Sequence, residues 1–438
     1  MWKNRAGFTL VETLVGSAVF IVLALSGYKA FVVLMDAVAI SQAKITATSL
    51  ANEKFEIIRN LPYIDVGIIA GLPAGKIQRN ETVTRDNYIF NILTSIRNVD
   101  DPFDGTIGGS PNDLSPADYK LVDLDITCSN CKTLAPISFT TLVAPHALET
   151  VSTNGALFMR VFDVNGNPIQ GASLHIVNTE TNPDTIIDEV TDNDGWLKLI
   201  DAPPGTSAYN ITATKTGYSQ DQTYGVGGAA GNNPIKIDST VVSRQVTQIT
   251  FAIDKMSSLL TKTVDASCVP LPSIGFSLTG TKLIGTGVLK YPTQNFSTDT
   301  SGNHTINNLE WDTYSALLTN TSYDLAGTDP LSTFGINPDE QKIIKLVAVP
   351  HVSRAILVSV KNSSGFALDG ATVRLSKADF DQTKTTNSTP CTTPGQVFWN
   401  GLSTGTYTLT VSMDGYQTAV STVDMSPSWQ NSIITLNP

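Results

Sequence analysis

The stretch RAGFTLVE at residues 5–12 decides how the chain is arranged, and almost uninterrupted apolar residues follow it as far as Tyr28. A helix rises 1.5 Å per residue, so about 20 apolar residues cross a bilayer. The segment from Phe8 to Tyr28 has this length and carries one charge, on Glu12. Because a carboxylate in hydrocarbon costs about 2.5–3.5 kcal/mol, we expect Glu12 to meet a cation. The amine created on Phe8 by a cut after Gly7 would serve.

The sequence GFTLVE at residues 7–12 resembles the class III signal of type IV prepilins and pseudopilins. In that family a prepilin peptidase cuts after the glycine and methylates the new N-terminal phenylalanine. The family's glutamate at the fifth mature position pairs with the N-terminal amine of a neighbouring subunit. The resemblance covers residues 1–60 and implies cleavage between Gly7 and Phe8, N-methylation of Phe8, and an assembly contact through Glu12.

Two other interpretations of the N-terminus compete with the prepilin signal. A secretory signal peptide would be cut after the apolar run, near small residues, but Ser26 and Gly27 form a poor site and Glu12 stays unexplained. A plain membrane anchor would need neither Gly7 nor Glu12. The spacing of glycine, phenylalanine and glutamate therefore favours the prepilin interpretation.

The distribution of charge predicts the orientation and limits the partners. Lys3 and Arg5 precede the apolar segment, so the positive-inside rule places the N-terminus in the cytoplasm and the chain after residue 30 outside. The expected location is the cytoplasmic membrane, crossed once, before assembly, and a pilus or the cell surface afterwards. A net charge of -11 repels phosphate backbones, so nucleic acid is not a favoured partner.

The helix is expected to continue past the membrane segment. Apolar residues recur near whole helical turns at Leu34, Val38, Ile45, Phe55 and Ile58. Pro62 ends this pattern. A helix over 8–60 would be about 80 Å long, with its first half in the membrane or filament core and its second half against a globular head. This two-part helix resembles the long N-terminal helix of type IV pilins.

Residues 61–150 are predicted to form the small β head that covers the outer half of the helix. Alternating, β-propense runs occupy residues 87–97, 119–127 and 137–143, and residues 100–116 form a long polar loop. Cys128 and Cys131 fit a hairpin tip between two of these runs. A disulfide between them is favoured over a redox pair or half a zinc site, since a redox motif normally starts a helix.

Beyond the head, a pattern of landmarks recurs with a period near 100 residues and predicts three β-sandwiches, at 151–255, 256–349 and 350–438. Each is expected to have about seven strands. Gly-Ala, Tyr-x-Ile/Leu-Thr and Gly-Tyr occur in the same order in the first and third copies, at residues 171–172, 209–212 and 217–218 and at 370–371, 407–410 and 415–416. These two copies resemble carboxypeptidase regulatory-like domains, which are transthyretin-like sandwiches. The middle copy is degenerate.

Within the sandwiches, alternation places Leu197 and Leu199 inward, matched by Val397 and Trp399. It leaves Trp196 as the best candidate for an exposed aromatic that contacts a sugar, although partial burial is expected of Trp196, Trp311 and Trp429. Cys268 and Cys391 would staple neighbouring sandwiches if paired, and free thiols are an equal alternative. The sequence DNDG at residues 192–195 fits a turn better than a calcium loop, because the expected glutamate is missing.

Catalysis has little support in the sequence. The four histidines fall in different segments without metal-ligand spacing, and no nucleophile elbow or phosphate-binding loop occurs. We expect no enzyme activity, no metal and no cofactor.

The expected fold class is mainly β with one long N-terminal helix, a pilin-like head and three Ig-like or transthyretin-like sandwiches in a row. The expected function is that of a large minor type IV pilin that displays its sandwiches for adhesion or surface contact. Its expected partners are the prepilin peptidase, other pilin subunits, the inner membrane, and a surface or carbohydrate ligand. The alternatives are a type II secretion pseudopilin and a membrane-anchored surface binding protein outside any filament.

Overall fold

The structure is a computed structural model and describes residues 9–132, 134–146, 151–387, 391 and 394–438. A single long helix is followed by 29 strands, which form eight sheets in this part of the chain. The protein is therefore mainly β with one N-terminal helix, as the sequence predicted.

The helix α1 spans Leu10–Arg59 and has 50 residues. Thr9 is its N-cap, and Asn60 is its C-cap. Leu61 and Pro62 follow, and a short 3-10 turn over Tyr63–Asp65 leads into the head. Pro62 ends the helix as expected, because a proline disfavours helical backbone in the residue before it.

The two halves of α1 have different surroundings. Its buried side chains all lie in the second half and recur every three or four residues, at Ala43, Thr46, Ala47, Leu50, Ala51, Phe55 and Ile58. The apolar side chains of the first half are largely exposed, and Leu23 is 66% exposed. The second half is thus an amphipathic helix docked on the head, whereas the first half has no such contact within this chain.

The head is an antiparallel sheet whose four strands follow one another in chain order. The strands are β1 (Asn80–Arg85), β2 (Tyr88–Val99), β3 (Tyr119–Cys128) and β4 (Ile137–Val143). The predicted runs at 119–127 and 137–143 fall within β3 and β4, and the run at 87–97 falls within β2 except for its first residue, so all three are confirmed as strands. Asp86 and Asn87 both have positive φ and join β1 to β2, as a tight two-residue hairpin requires. Alternate residues of β2 and β3 pack against the second half of α1.

The first group of strands beyond the head contains two sheets around a common core. Its strands are β5 (Gly155–Phe162), β6 (Ser173–Asn178), β7 (Thr185–Val190), β8 (Trp196–Ala202), β9 (Gly205–Thr214), β10 (Asp221–Gln222), β11 (Ser239–Val241) and β12 (Val246–Ala252). We call it sandwich 1.

Sandwich 2 has ten strands, more than the expected seven, because it carries an additional small hairpin and further edge strands. Its strands are β13 (Ser257–Val264), β14 (Gly275–Gly280), β15 (Leu283–Gly285), β16 (Val288–Leu289), β17 (Gln294–Ser297), β18 (Asn303–Leu309), β19 (Asp312–Leu318), β20 (Tyr323–Asp329), β21 (Thr333–Ile336) and β22 (Gln341–Pro350).

Sandwich 3 has seven strands among its described residues. They are β23 (Arg354–Asn362), β24 (Thr372–Lys377), β25 (Phe380–Thr385), β26 (Gln396–Leu402), β27 (Thr406–Ser412), β28 (Ala419–Asp424) and β29 (Trp429–Leu436).

The three sandwiches share one topology. In each, the first strand pairs in parallel with the last, as β5 with β12, β13 with β22, and β23 with β29. The same first strand pairs on its other side with β8, β18 or β26, and the facing sheet is built around β6–β9, β14–β19 or β24–β27. The degenerate middle copy therefore has the same strand order as its neighbours.

A buried tyrosine marks the same position in all three sandwiches. Tyr209 on β9, Tyr314 on β19 and Tyr407 on β27 are almost fully buried. Each hydroxyl donates to a nearby carbonyl, at 2.6 Å on Pro203, 2.8 Å on Glu310 and 3.2 Å on Ser403. The bonds satisfy buried phenols that would otherwise destabilise the core.

The inward-facing pair predicted for the outer copies is confirmed. Leu197 and Leu199 are buried on β8, and Val397 and Trp399 are buried on β26. They face equivalent partners, since Leu197 is opposite Met159 and Val397 is opposite Val358.

Polar backbone contacts join the head and the sandwiches. Arg79 of the head donates to the carbonyls of Ile186 and Asp188 in sandwich 1, at 3.0 and 3.1 Å. The Gln396 side chain of sandwich 3 pairs with both backbone groups of Thr328 in sandwich 2. Such pairing fixes neighbouring units because separation would leave buried polar groups without partners.

Candidate functional site

The N-terminal end of α1 is closed by a reciprocal pair of hydrogen bonds between Thr9 and Glu12. The Glu12 N–H donates to the Thr9 hydroxyl at 3.3 Å, and the Thr9 N–H donates to Glu12 Oε2 at 3.0 Å. The Thr9 hydroxyl also donates to Oε2 at 3.0 Å. This is a capping box, which satisfies amides that the first helical turn leaves without partners.

Glu12 has no cationic partner among the described residues. Its carboxylate uses Oε2 for the capping box and is exposed. The geometry leaves the charge available to a cation that comes from another molecule. Gly7 and Phe8 lie outside the described residues, so cleavage and N-methylation there stay predictions.

The structural role of Glu12 was not predicted, although the sequence contains its signal. Thr9 and Glu12 are three residues apart at the start of an apolar helical run, which is the spacing of a capping box. Glu12 thus stabilises its own helix, whatever it does in assembly.

The first half of α1 has the length and composition of a membrane-spanning helix. Its most apolar 18-residue window has a mean hydropathy of 2.2, and none of that window is buried.

A buried lysine contacts the segment that follows α1. Lys120 is 6% exposed, and its ammonium donates to the carbonyls of Tyr63 and Val66 at 2.8 and 2.6 Å. Burial lowers the pKa of Lys120 to about 8. Lys120 therefore ties the segment after α1 to β3.

The four cysteines form two disulfides in the structure. Cys128 and Cys131 are bonded at the end of β3, where the chain turns towards β4. Cys268 and Cys391 are bonded across 123 residues and join sandwich 2 to sandwich 3. Neither pair is placed to act with a histidine or a metal in the described part of the chain.

The remaining polar candidates have structural roles. The Asp192 carboxylate accepts from the amides of Asp194 and Trp196 at 2.9 and 2.8 Å, as in a turn between strands. His175 pairs with Asp188 within sandwich 1, and His351, directly after β22, pairs with Asp324 on β20. These contacts do not assemble a catalytic group.

The three tryptophans considered as ligand contacts are partly buried, as predicted. Trp429 donates its indole N–H to the carbonyl of Leu325 at 3.0 Å, and the ammonium of Lys282 lies 3.0 Å from the centre of the Trp311 ring. Trp196 lies at the edge of a cleft between the head and sandwich 1.

Two family models match the chain. Residues 2–28 match the prokaryotic N-terminal methylation motif, and residues 355–435 match the carboxypeptidase regulatory-like domain. The first match lies over the predicted signal, and the second coincides with sandwich 3. The chain thus has a prepilin-type N-terminus that implies processing by prepilin peptidase and assembly with other pilins. This motif, together with the apolar and exposed first half of α1, fits a chain that is anchored in the membrane through its N-terminal helix.

Solved structures that match part of the chain include one Bacillus protein and two pilins. The Bacillus anthracis TIE protein is 14% identical over 82% of this chain and 73% of its own, with a TM-score of 0.20. The shaft pilin SpaA from Lactobacillus rhamnosus GG is 14% identical over 45% of this chain and 98% of its own, with a TM-score of 0.18. The minor pilin GBS52 of Streptococcus agalactiae is 16% identical over 41% and 95%, with a TM-score of 0.17. No curated protein matches the chain. Scores this low establish no common function.

Proposed function

We propose that the protein is a large minor type IV pilin that carries its sandwiches on the outside of a pilus, in its shaft or at its tip. The observation that carries the proposal is the prepilin-type motif over residues 2–28, joined to a helix whose first half is apolar and exposed. An exposed apolar surface of this size needs lipid or neighbouring helices around it. Membrane insertion followed by filament assembly supplies first one and then the other.

The bulk of the chain supports a minor subunit. The head alone packs on the second half of α1, and each sandwich has its own hydrophobic core. Three such units on every subunit of a helically packed fibre would crowd one another, whereas a subunit present in few copies leaves room for them. We propose that the sandwiches serve adhesion or surface contact and that the protein is not an enzyme.

The first experiment is mass spectrometry of the mature N-terminal peptide. The expected peptide begins at Phe8 and carries one additional methyl group. Gly7→Ala is expected to be processed, whereas Gly7→Leu, with a bulky side chain at the cut, is expected to keep the leader. A retained Met1, or a start near Gly27, would contradict the prepilin assignment.

The second experiment locates the protein by imaging a tag placed after β29. We expect the label on filaments, at few sites per filament, and lost from them when the prepilin peptidase gene is deleted. Uniform labelling of the cell surface in the same strain would support an anchored surface protein instead. A secretion defect without loss of labelled filaments would support a pseudopilin.

A further inference from the structure

A cleft of about 540 Å³ lies between the head and sandwich 1. One wall comes from the end of β2 and the loop after it, and the other comes from β5, β8 and the turn before β8. Ligand sites occur preferentially at such junctions and have volumes of about 300–1,000 Å³. The cleft is therefore large enough to hold a small organic molecule.

The walls of the cleft are held in place by contacts across the junction. The Asn98 amide on β2 donates to the carbonyl of Ile200 on β8 at 3.3 Å. Ile107, Ala156 and Ile200 form a small buried core between the two units. A site built in advance loses less entropy when a ligand binds than one that must first close.

One side of the cleft is aromatic. Trp196 and Phe158 both line it. The guanidinium of Arg160 lies 5.5 Å from the centre of the Trp196 ring, and the ammonium of Lys198 lies 5.5 Å from the centre of the Phe158 ring. These cation contacts restrain the rings and leave a partly exposed aromatic surface next to the polar wall.

The opposite wall carries polar atoms that have no hydrogen-bond partner among the described residues, although each of their side chains is anchored by another atom. Arg97 Nε, Asn98 Oδ1 and Asp100 Oδ1 are buried in this way. Asn98 is 7% exposed. Asp100 Oδ2 accepts from the amide of Ile107 at 2.9 Å, and Arg97 Nη2 donates to Asp123 at 3.0 Å. The free atoms are thus two acceptors and one donor on positioned groups.

Such atoms are costly to bury and favour a ligand with hydroxyl groups. A buried polar group without a partner costs about 1–3 kcal/mol, and a hydroxyl group both donates and accepts. Burial, together with the neighbouring carboxylates of Asp113, Asp118 and Asp104, raises the pKa of Asp100 to about 6. The charged residues lining the cleft balance in sign, with Arg97 and Lys198 against Asp100 and Asp192. A neutral polyhydroxyl ligand with an apolar ring face matches all three features.

We propose that this cleft binds a neutral saccharide, with Trp196 against a face of a sugar ring and Asn98 and Asp100 accepting hydrogen bonds from its hydroxyl groups. This inference rests on the proposed function, since it names the ligand class and the place of the surface contact. The site belongs to the junction, because neither the head nor sandwich 1 supplies both walls.

The test uses the full chain in lauryldimethylamine oxide micelles, because this detergent contains no sugar that would compete. The labelled protein is first applied to an array of neutral and anionic glycans, and the best neutral glycan is then titrated by calorimetry. We expect neutral glycans to bind and Trp196→Ala to weaken binding by at least about tenfold, the loss typical of an aromatic contact at the centre of a site. Asp100→Asn, which removes the charge and replaces one carboxylate oxygen by an NH2 donor, is expected to weaken binding about fivefold.

Two control variants keep the result interpretable. Trp196→Phe retains an aromatic ring and is expected to recover most of the affinity. Phe366→Ala removes an aromatic ring that is 71% exposed on sandwich 3 and is expected to change nothing. The saccharide proposal is wrong if only anionic glycans bind, if no glycan binds, or if Trp196→Ala binds the neutral glycan as tightly as the parent chain.

The failure of this proposal is distinguishable from the failure of the proposed function. If a strain carrying Trp196→Ala still attaches to surfaces through labelled pili, the cleft is not the contact site, and the minor-pilin proposal is unaffected. If the chain binds a glycan tightly but never enters a filament, the saccharide site is supported and the minor-pilin proposal is wrong.

Discussion

The two halves of α1 differ in what surrounds their apolar side chains. In the second half, Leu50 is 1% exposed and packs with Phe90 and Leu124 of the head in one core. In the first half, Leu23 is 66% exposed, and no residue of that half is buried in the described structure. The second half of this continuous helix packs on the head of the same chain. The first half needs a partner from outside the chain.

The two halves of α1 therefore have different roles: the second half contributes to the stability of the head, and the first half contributes to assembly. Apolar burial of the second half stabilises the head in any state of the protein. The first half contributes only when lipid or other subunits surround it. Substitutions in the two halves should therefore change different measurements.

The largest expected effect on filament assembly concerns the charge in the first half. Glu12→Ala removes both the carboxylate and its part in the capping box, and we expect filament incorporation, measured by labelling sheared pili, to fall at least about tenfold. Loss of one charge-assisted contact of about 1.5–3 kcal/mol gives a change of this size. N-terminal processing should continue.

Glu12→Gln is the matched control, because glutamine keeps the capping box and loses the charge. If the intersubunit charge pair matters, Gln is as defective as Ala. Normal incorporation of Glu12→Gln would instead assign the residue's role to helix capping.

The second effect compares the same substitution in both halves. Leu50→Ala is expected to destabilise the head by about 3 kcal/mol, because it leaves a cavity in a closed core. Leu23→Ala should change head stability by less than about 0.5 kcal/mol. Hydrogen exchange of β2 and β3 peptides in the full chain measures both. Equal protection in the two variants would show that the helix is not docked on the head.

The smallest effect concerns Lys120, the buried cation that contacts the segment after α1. Because the pKa of Lys120 is about 8 in the folded state, against 10.5 for an ordinary lysine, the unfolded chain binds more protons between these values. Head stability should therefore rise with pH, by about 2 kcal/mol between pH 8 and pH 10. Below pH 8 both states hold the proton and this gain is absent.

The measurement is hydrogen exchange of the β3 peptide, corrected for the intrinsic exchange rate at each pH. Lys120→Met removes the titrating group and is expected to abolish the rise, whatever its stability at neutral pH. A parent chain whose head loses stability over this range would contradict the assignment of a neutralised buried lysine.

Features with a local period could be predicted from the sequence. The helical repeat placed α1, and two-residue alternation placed β2, β3, β4 and the inward pair on β8. These patterns are readable because a helix or strand presents the same face at regular intervals, and the apolar face must be buried. The capping box of Thr9 and Glu12 had an equally local signal.

Features that depend on long-range packing could not be predicted. From the sequence, a disulfide between Cys268 and Cys391 and a pair of free thiols were equal alternatives, because the distance between the two residues depends on how two sandwiches dock. Lys120 lies in an alternating run whose pattern does not mark it as buried. It is buried because the segment after α1 covers it. Asn98 and Trp196 face the same cleft although almost 100 residues separate them.

The apolar helix, the N-terminal motif, the run of β units and the repeated landmarks could be predicted from the sequence, because hydrophobic period and short motifs act over a few neighbouring residues. Three features became visible only in the folded chain: the middle copy shares the topology of its neighbours, Cys268 and Cys391 join sandwiches 2 and 3, and a polar and aromatic cleft lies beside the head. Each of these features depends on contacts between surfaces that are distant in sequence. Those contacts form only when the whole chain packs and excludes water from them.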